Sequence, residues 1–355
     1  MKRVLIINLW ALGDILMSTP LVAALQAQDP NVQIVWLADS ANANLMQGQL
    51  GIDEVLCIES GLWRRYLRKG NIIGWLREAF YWHHEIRSRR FDAVVNCQPD
   101  RWWTCVLCPA PVRVGLFPTA KLPILRRFYT HPLPKPKNVH NTDYYLKGLE
   151  ALGLPGPFDR QMRYTVGPNA EAEASAFLAN SAEYDPKLPL IVLHAGTSQE
   201  SKSWLPENFA VLAAALSPRF NVVLTGSPKE QPLTEKICGL LPPGTRPPLI
   251  AAGHLSGTGP FAALIARAAA VVTGDTLALH LASALETPIV GIYGGSRPGD
   301  NLPLFGPQVL LYDDSVPCAP CYKGRCPLRG KDHLRCQRAV TPAQVLAALD
   351  GLVQR

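Results

Sequence analysis

The residues best suited to chemistry follow an apolar run in the second half of the chain. Residues 270–273 lead through a glycine into Asp275 and Thr276, and then into an apolar stretch that carries Leu277 and His280. The N–H groups and positive dipole end of a helix N-terminus suit a phosphate, and the Thr276 hydroxyl adds a donor. The pattern predicts a phosphate site. An ordinary strand–helix joint, with Asp275 as cap and His280 as a packed helix residue, fits it too.

A second loop of this kind lies at residues 194–206. An apolar run ends there in small hydroxyl residues that include Thr197 and Ser198, and Lys202 precedes the next helical stretch. A lysine at this place can neutralise a diphosphate, and the two hydroxyls offer further donors. A solvated loop lysine is the alternative. Two such loops in one half of the chain favour a nucleotide diphosphate site.

A third strand-like run ends in a tight turn that presents Glu230. A carboxylate at this position can accept hydrogen bonds from ribose hydroxyls. Acidic residues also favour the start of a helix for electrostatic reasons, so a helix-start role for Glu230 is an alternative of similar weight.

Asp14 follows the first apolar run of the chain, which breaks at a glycine. A partly desolvated carboxylate opposite a phosphate site is a candidate general base, and a helix cap is the alternative. The glycine pattern G-x-G-x-x-G of dinucleotide-binding proteins is missing here, which disfavours a nicotinamide enzyme.

Four cysteines cluster near the C-terminus, with the spacing C-x2-C-x4-C-x9-C at Cys318, Cys321, Cys326 and Cys336. Four thiols can close tetrahedrally on zinc or iron, with His333 as a spare ligand. Free thiols are the alternative, as are disulfides formed after purification. Because the cluster lies far in sequence from every phosphate loop, we expect any metal there to be structural.

Positive charge is concentrated in the first half of the chain. Residues 64–137 hold 15 Lys and Arg against 4 Asp and Glu, and the whole chain has a net charge of +7. Several of these cations lie among Trp and Tyr, as a surface for an anionic partner would need. A solvated basic face is the alternative. Nucleic acid suits such a pattern too, but the sequence contains no known nucleic-acid module.

Short apolar runs alternate with stretches of helical length, as in parallel sheets covered by helices. Ten strands are predicted, five in each half: residues 4–9, 33–38, 55–58, 92–97 and 112–115, then 190–194, 221–225, 249–252, 270–273 and 289–293. Each half is therefore expected to be a doubly wound α/β unit. Ligands of such units bind at the carboxyl ends of the strands.

Glycines and prolines at residues 153–169 predict a linker between two domains. The predicted boundaries are 1–168 for an N-terminal domain, 169–340 for a C-terminal domain that binds the nucleotide, and 341–355 for a final helix. The helix prediction rests on Thr341 as N-cap and on the proline that follows it.

The N-terminal run resembles a secretory signal, but Asp14 interrupts it and no cleavage site follows. No apolar run approaches the ~20 residues that span a bilayer. We therefore expect a cytoplasmic protein without a transmembrane segment, and most of its nine cysteines should be free thiols or metal ligands.

Three motifs in order resemble glycosyltransferase family 9, the bacterial heptosyltransferases that add heptose to the lipopolysaccharide inner core. The resemblance runs from residue 1 to the C-terminal helix. Its motifs are Gly13-Asp14 with Thr19-Pro20, Thr197-Ser198 with Lys202-x-Trp204, and Gly274-Asp275-Thr276 with His280.

The resemblance implies a GT-B fold, in which two Rossmann-like domains face a central cleft. It also implies ADP-heptose as donor and inversion at the anomeric carbon, without a cofactor for catalysis. Asp14 would be the base, Lys202 and Thr276 would hold the diphosphate, and Glu230 the ribose. Leu277 stands where the family mostly has glycine; leucine still supplies its N–H but narrows the approach.

The family's first domain receives an anionic lipopolysaccharide acceptor, which implies a use for the basic residues. The expected acceptor-binding residues are Arg64, Arg65, Arg68, Arg101, Arg113 and Lys121. Aromatic residues beside them can stack on sugars or rest at a membrane interface, so the enzyme is expected to be peripheral to the inner membrane. Two other functions stay open: a sugar-nucleotide transferase for a protein or another glycan, and a non-catalytic nucleotide-binding scaffold.

Overall fold

The structure is a computed structural model that describes residues 1–9, 11–49, 51–99, 102–117, 123–299 and 301–353. The chain divides into two compact units, Met1–Thr165 and Val166–Arg355. The division falls within the linker predicted at residues 153–169.

The first unit is built on a six-stranded parallel sheet with the order β3-β2-β1-β4-β5-β6. Its strands are β1 (Arg3–Ile7), β2 (Gln33–Asp39), β3 (Glu54–Ile58), β4 (Ala93–Asn96), β5 (Val112–Phe117) and β6 (His131–Pro134). Its helices are α1 (Leu12–Ser18), α2 (Pro20–Gln28), α3 (Ser60–Arg68), α4 (Ile72–Ser88) and α5 (Asn141–Glu150).

The second unit repeats this architecture with the strand order β12-β11-β10-β7-β8-β9. Its strands are β7 (Leu190–His194), β8 (Asn221–Thr225), β9 (Leu249–Ile250), β10 (Ala268–Gly274), β11 (Ile289–Ile292) and β12 (Gln308–Leu311). Its helices are α6 (Pro168–Asn180), α7 (Pro206–Leu216), α8 (Gln231–Gly239), α9 (Thr258–Arg267), α10 (Leu277–Ala284), α11 (Arg335–Ala339) and α12 (Pro342–Val353).

The apolar runs form the central strands because helices cover both faces of each sheet, so successive side chains are all buried. Val4 to Ile7 in β1 and Ile191 to Leu193 in β7 are completely buried. All ten predicted strands are present. The prediction missed β6 and β12, which lie at sheet edges; β6 contains two prolines, and β12 is only half-buried. Edge strands need neither an apolar run nor a complete set of N–H donors, so both escape a hydrophobic pattern.

The predicted C-terminal helix is confirmed as α12. The Thr341 side chain accepts a hydrogen bond from the N–H of Gln344 (3.3 Å), and proline occupies the first helical position. Val345 and Leu349 are buried in the core of the second unit, so the helix completes that core.

Helix α4 carries large apolar side chains on its outer face. Its inner face buries Ala79 and Ile86, whereas Ile73, Leu76 and Phe80 are 83%, 53% and 75% exposed. Within the described ranges, no helix combines the length and the hydropathy needed to cross a membrane. The outer face of α4 therefore leaves an apolar surface unexplained by the fold.

Candidate active site

Two of the predicted phosphate loops meet through an ion pair. Strands β7 and β10 are parallel neighbours, so the loops after them leave the same edge of the sheet. Lys202 Nζ lies 2.6 Å from Asp275 Oδ2, and the Ser296 hydroxyl donates to the same oxygen at 2.8 Å. The sheet thus brings together residues that lie 73 positions apart.

Asp275 is held as a carboxylate in a buried position. Burial by itself would raise the pKa of Asp275, but the positive charges of Lys202 and His280 and the hydrogen bonds from Lys202 and Ser296 outweigh it, so the pKa is lowered. The side chain of Asp275 is 5% exposed and that of Lys202 is 20% exposed. The Asp275 carboxylate thus faces the Lys202 amine in a position partly shielded from water, where electrostatic attraction is stronger than at the surface.

Helix α10 begins directly after this pair. Its N-cap is Thr276, whose Oγ1 accepts a hydrogen bond from the N–H of Ala278 (3.2 Å) and lies 2.9 Å from Thr273 Oγ1. The cap is Thr276, so the alternative in which Asp275 caps the helix is wrong. The first N–H groups of a helix lack partners within it, and Leu277 starts this one in a half-buried position. This terminus suits a phosphate oxygen.

The loop after β7, residues 195–205, is called the donor loop because the sequence predicts that it binds the sugar-nucleotide donor. Thr197 Oγ1 accepts a hydrogen bond from the N–H of Gln199 (3.3 Å), and Ser198 is exposed. Residues Glu200–Lys202 form a single 3₁₀ turn. The loop ends at Trp204, a buried side chain whose indole donates to the Val340 carbonyl (2.8 Å).

Glu230 has the helix-start role that its sequence position allowed, and the ribose role stays a prediction. Its carboxylate accepts hydrogen bonds from the N–H and hydroxyl of Ser227, at 2.7 and 2.9 Å, as in a capping box. The same carboxylate lies against Gly196, where a Cβ atom would overlap it. Burial lowers the pKa of His194, against the opposing effect of the Glu230 charge. Glu230 thus starts a helix and lies beside the donor loop.

Asp14 lies in the first turn of α1, half-buried, and the N-cap position belongs to Ala11. The alternative of Asp14 as the N-cap is therefore wrong. Burial raises the pKa of Tyr145 well above its usual value, and the Asp14 charge and a hydrogen bond to Asp14 add to this. The backbone of the turn is tied to the strand end, because the Asn8 amide donates to the Asp14 carbonyl (3.3 Å).

The predicted acceptor-binding cations differ in their surroundings. Arg64, Arg65 and Arg68 are exposed on α3. Arg113 donates to the carbonyl oxygens of Ala110 (2.7 Å) and Phe128 (2.8 Å), which favours a structural use. The other two predicted positions, Arg101 and Lys121, lie outside the described residues.

The four clustered cysteines are thiols that influence one another. Burial is the main reason that the pKa of Cys336 is raised, and the charges of Cys318, Cys326 and Cys321 raise it further. In the described part of the chain, no three or more His, Cys, Asp or Glu side chains are arranged as a metal-ligand set. The four cysteines in this conformation therefore do not fit a metal ion. The metal site expected from their spacing stays a prediction.

Two polar residues of the site escaped the sequence analysis. Ser296 follows β11 in a Gly-Gly-Ser segment, and β11 is the neighbour of β10. A small polar residue after an adjacent strand was the available signal, since parallel strands end at one edge. Tyr145 lies within α5 and carried no signal, because an aromatic residue in an amphipathic helix is ordinarily part of the core.

Two doubly wound parallel units define a GT-B fold, and the loops predicted to bind phosphate all belong to the second unit. The chain belongs to glycosyltransferase family 9 (heptosyltransferase), whose sequence profile matches residues 80–331. The resemblance expected from the three motifs is thereby confirmed, and the protein is an enzyme of the glycosyltransferase class.

Similar proteins cover nearly the whole chain. Lipopolysaccharide heptosyltransferase 1 of Pseudomonas aeruginosa is 26% identical over 334 residues, which are 91% of this chain and 87% of that protein. The family 9 glycosyltransferase of Veillonella parvula superposes with a TM-score of 0.81 at 23% identity, covering 99% and 97% of the two chains. Heptosyltransferase WaaC of Escherichia coli, solved with ADP-2-deoxy-2-fluoro heptose, gives 0.72 at 20% identity and covers 99% of each chain.

Proposed function

We propose that this enzyme transfers heptose from ADP-heptose to an inner-core lipopolysaccharide acceptor, with inversion at the anomeric carbon. The observation that carries the proposal is the pairing of Lys202 with Asp275 at the start of α10, which sets a cation and the N-terminus of a helix side by side. A diphosphate needs both. The names of the relatives, a lipopolysaccharide heptosyltransferase and an enzyme solved with an ADP-heptose analogue, support the choice of donor and acceptor.

In the proposed mechanism Asp14 accepts the proton of an acceptor hydroxyl as that oxygen attacks the anomeric carbon. The bond from the anomeric carbon to the phosphate oxygen breaks in the same displacement, which inverts the configuration. The hydrogen bond with Tyr145 orients the carboxylate. An unperturbed aspartate has a pKa of about 3.9, so proton transfer requires the hydroxyl to become acidic as the new bond forms.

Departure of ADP is assisted by the second unit. Lys202, the hydroxyls of Thr197 and Ser198 and the N-terminus of α10 at Thr276 stabilise the charge that develops on the leaving diphosphate. Asp275 keeps the lysine ammonium in place and the cation keeps Asp275 from repelling the phosphate. The motif residues Leu277 and His280 complete the donor site, and Glu230 accepts hydrogen bonds from the ribose.

The acceptor proposal rests on the surface of α3 and α4. Arg64, Arg65 and Arg68 face an acceptor that carries phosphate and carboxylate groups. The exposed apolar residues Ile73 and Phe80 of the adjoining α4 suit the headgroup region of a bilayer, in which a lipid-anchored acceptor lies. Together they favour a peripheral position at the inner membrane.

The function is tested by incubating the enzyme with ADP-heptose and a heptose-free inner-core acceptor. Release of ADP together with a product of inverted anomeric configuration, resolved by NMR, is the expected result. Transfer only to protein or other glycans would favour the related transferase. Nucleotide binding without turnover on any acceptor would favour a scaffold.

Acceptor binding should depend strongly on salt, and donor binding much less. Exposed charges are screened beyond about 8–10 Å at physiological ionic strength. Changing Arg64, Arg65 and Arg68 together to Ala should raise the acceptor KM by about tenfold at low salt, because three exposed ion pairs of modest energy are lost. Steady-state kinetics at several salt concentrations measures the effect.

A matched control changes Lys147, Arg160 and Arg163 of the same unit to Ala, which removes the same charge outside residues 64–137. Its acceptor KM should change less than about twofold. An equal rise in both triple variants would mean that net charge alone acts. An equal rise in donor and acceptor KM would reject α3 as an acceptor surface.

The proposed structural zinc or iron at Cys318, Cys321, Cys326 and Cys336 requires these thiols to move closer together. Protein purified without added metal should then carry close to one metal ion per chain by elemental analysis, and Cys321→Ser should lower both the metal content and Tm. Cys57→Ser, at an exposed cysteine of the first unit, is the control. Metal-free protein of unchanged Tm would leave the four residues as ordinary thiols.

A further inference from the structure

The cysteines lie in a segment that contacts the donor loop. This cysteine segment, residues 317–337, is separated from the donor loop by more than a hundred positions in the chain. The Ser201 hydroxyl nevertheless donates to the Lys323 carbonyl, and the Gln337 amide donates to the Ser201 carbonyl at 3.1 Å. Ser201 and Gln337 are both buried. Separation in sequence therefore does not keep this segment away from the phosphate-binding residues.

Glu200 adds a second set of contacts between the same two segments. Its Oε2 accepts the N–H of Cys326 at 3.0 Å, and its Oε1 lies 3.2 Å from Nε2 of His333. The hydrogen bond from Cys326 is the main reason that the pKa of Glu200 is lowered. Both residues that precede Lys202 are thus bonded to the cysteine segment.

The segment also reaches the other partner of Asp275. The N–H of Gly295 donates to the Ser201 carbonyl (3.1 Å), and the Gly295 carbonyl accepts the N–H of Tyr322 (2.8 Å). A Cβ atom at Gly295 would come within 2.5 Å of Ser201 Oγ, so the two chain segments pack without space for a side chain. Ser296, the next residue, donates to Asp275.

Lys202 depends on such support because its local structure is weak. The turn Glu200–Lys202 is only three residues long, and the hydrogen bonds of a 3₁₀ turn have poorer geometry than those of an α-helix. The lysine stem is a flexible four-carbon chain, so only a fixed backbone brings its ammonium reliably to one place. Contacts from outside the turn must therefore fix it.

We propose that the cysteine segment supports the donor site. Gln337 of that segment and Glu200 of the donor loop are positioning residues, whose hydrogen bonds hold Lys202 and Ser296 against Asp275. Neither residue contacts the nucleotide; each acts through the backbone of the donor loop. The inference rests on the proposed donor site, and it means that a change at the thiols which displaces the segment weakens nucleotide binding.

The test compares Gln337→Met, which keeps the volume but loses the donor, with Glu200→Ala. Each should raise the Kd of ADP by about 3- to 10-fold, the usual effect of one or two lost hydrogen bonds, as measured by calorimetry. The donor KM should rise in parallel, while kcat at saturating donor and the acceptor KM change less than about twofold. Glu200→Gln retains an acceptor for the Cys326 N–H and should restore most of the affinity.

A second measurement does not depend on the identity of the donor. Hydrogen exchange at the amides of Lys202 and Ser203, which close the 3₁₀ turn, should be faster in both variants. Glu207→Ala, at an exposed glutamate of α7, is the control and should change neither readout. If wild-type enzyme failed to bind ADP, the proposed function would fail. The exchange rates would still decide whether the cysteine segment supports the donor loop. Unchanged exchange in both variants would overturn the inference, as would a lower Tm with an unchanged Kd.

Discussion

Replacing Asp14 with Asn is expected to reduce kcat by about 100- to 10,000-fold, which corresponds to roughly 3–5 kcal/mol of activation free energy. The amide keeps the shape of the side chain but does not accept a proton at neutral pH. Donor affinity should hardly change, because the phosphate-suited loops belong to the other unit. Single-turnover kinetics with saturating donor measures the chemical step directly.

Stability separates this role from a structural one. The Asp14→Asn side chain retains most of the hydrogen-bonding capacity of the carboxylate in the turn, so we expect a loss of about 1 kcal/mol at most. Asp159→Asn, at an exposed aspartate of the same unit, is the control and should keep normal kcat. Tyr145→Phe removes the hydroxyl that bonds to Asp14 and should lower kcat by a smaller factor, again with normal donor KM. An Asp14→Asn enzyme of near-normal kcat would end the proposed mechanism.

Changing Lys202 to Met should lower kcat/KM for the donor by about 100- to 1000-fold, roughly 3–4 kcal/mol, since a cation aimed at the leaving diphosphate is lost. The loss has two sources. The diphosphate loses its counter-charge, and the Asp275 carboxylate loses the partner that offsets its burial. Isothermal calorimetry with ADP and steady-state kinetics measure the two parts.

The second source has a pH signature. Without Lys202 the burial of Asp275 has less to oppose it, so the pKa of Asp275 should rise. Protonated Asp275 no longer repels phosphate, so ADP affinity of Lys202→Met should improve as pH falls. In the double variant with Asp275→Asn this pH dependence should vanish. Lys236→Met, at an exposed lysine of α8, serves as control. If the ADP affinity of Lys202→Met matched that of the wild type at every pH, Lys202 would not belong to the donor site.

The sequence predicted those parts of the site that follow from periodicity and from the parallel arrangement of the strands. Parallel strands end at one edge, so the loops after β7 and β10 were expected at the same edge of the sheet. The structure places them there, and because β7 and β10 are neighbours Lys202 and Asp275 come into contact.

Other features depend on contacts that no local pattern encodes. The bonds of Glu200 to Cys326 and His333 join segments whose pairing arises only when the whole second unit has folded. The hydrogen bonds of Arg113 to two backbone carbonyl oxygens could not be predicted either. A count of charges does not distinguish a solvated guanidinium from one that supports a loop.

In the proposed mechanism, the contact between Lys202 and Asp275 also bears on how the enzyme releases its product. The Lys202 ammonium has a counter-ion of its own in Asp275, so departing ADP would not leave a half-buried cation unpaired. An incoming sugar nucleotide must compete with that carboxylate for the same charge. This competition lowers the affinity for the nucleotide in the ground state and so favours turnover. Nucleotide binding that is equally tight in every state would slow the release of ADP without accelerating the chemical step.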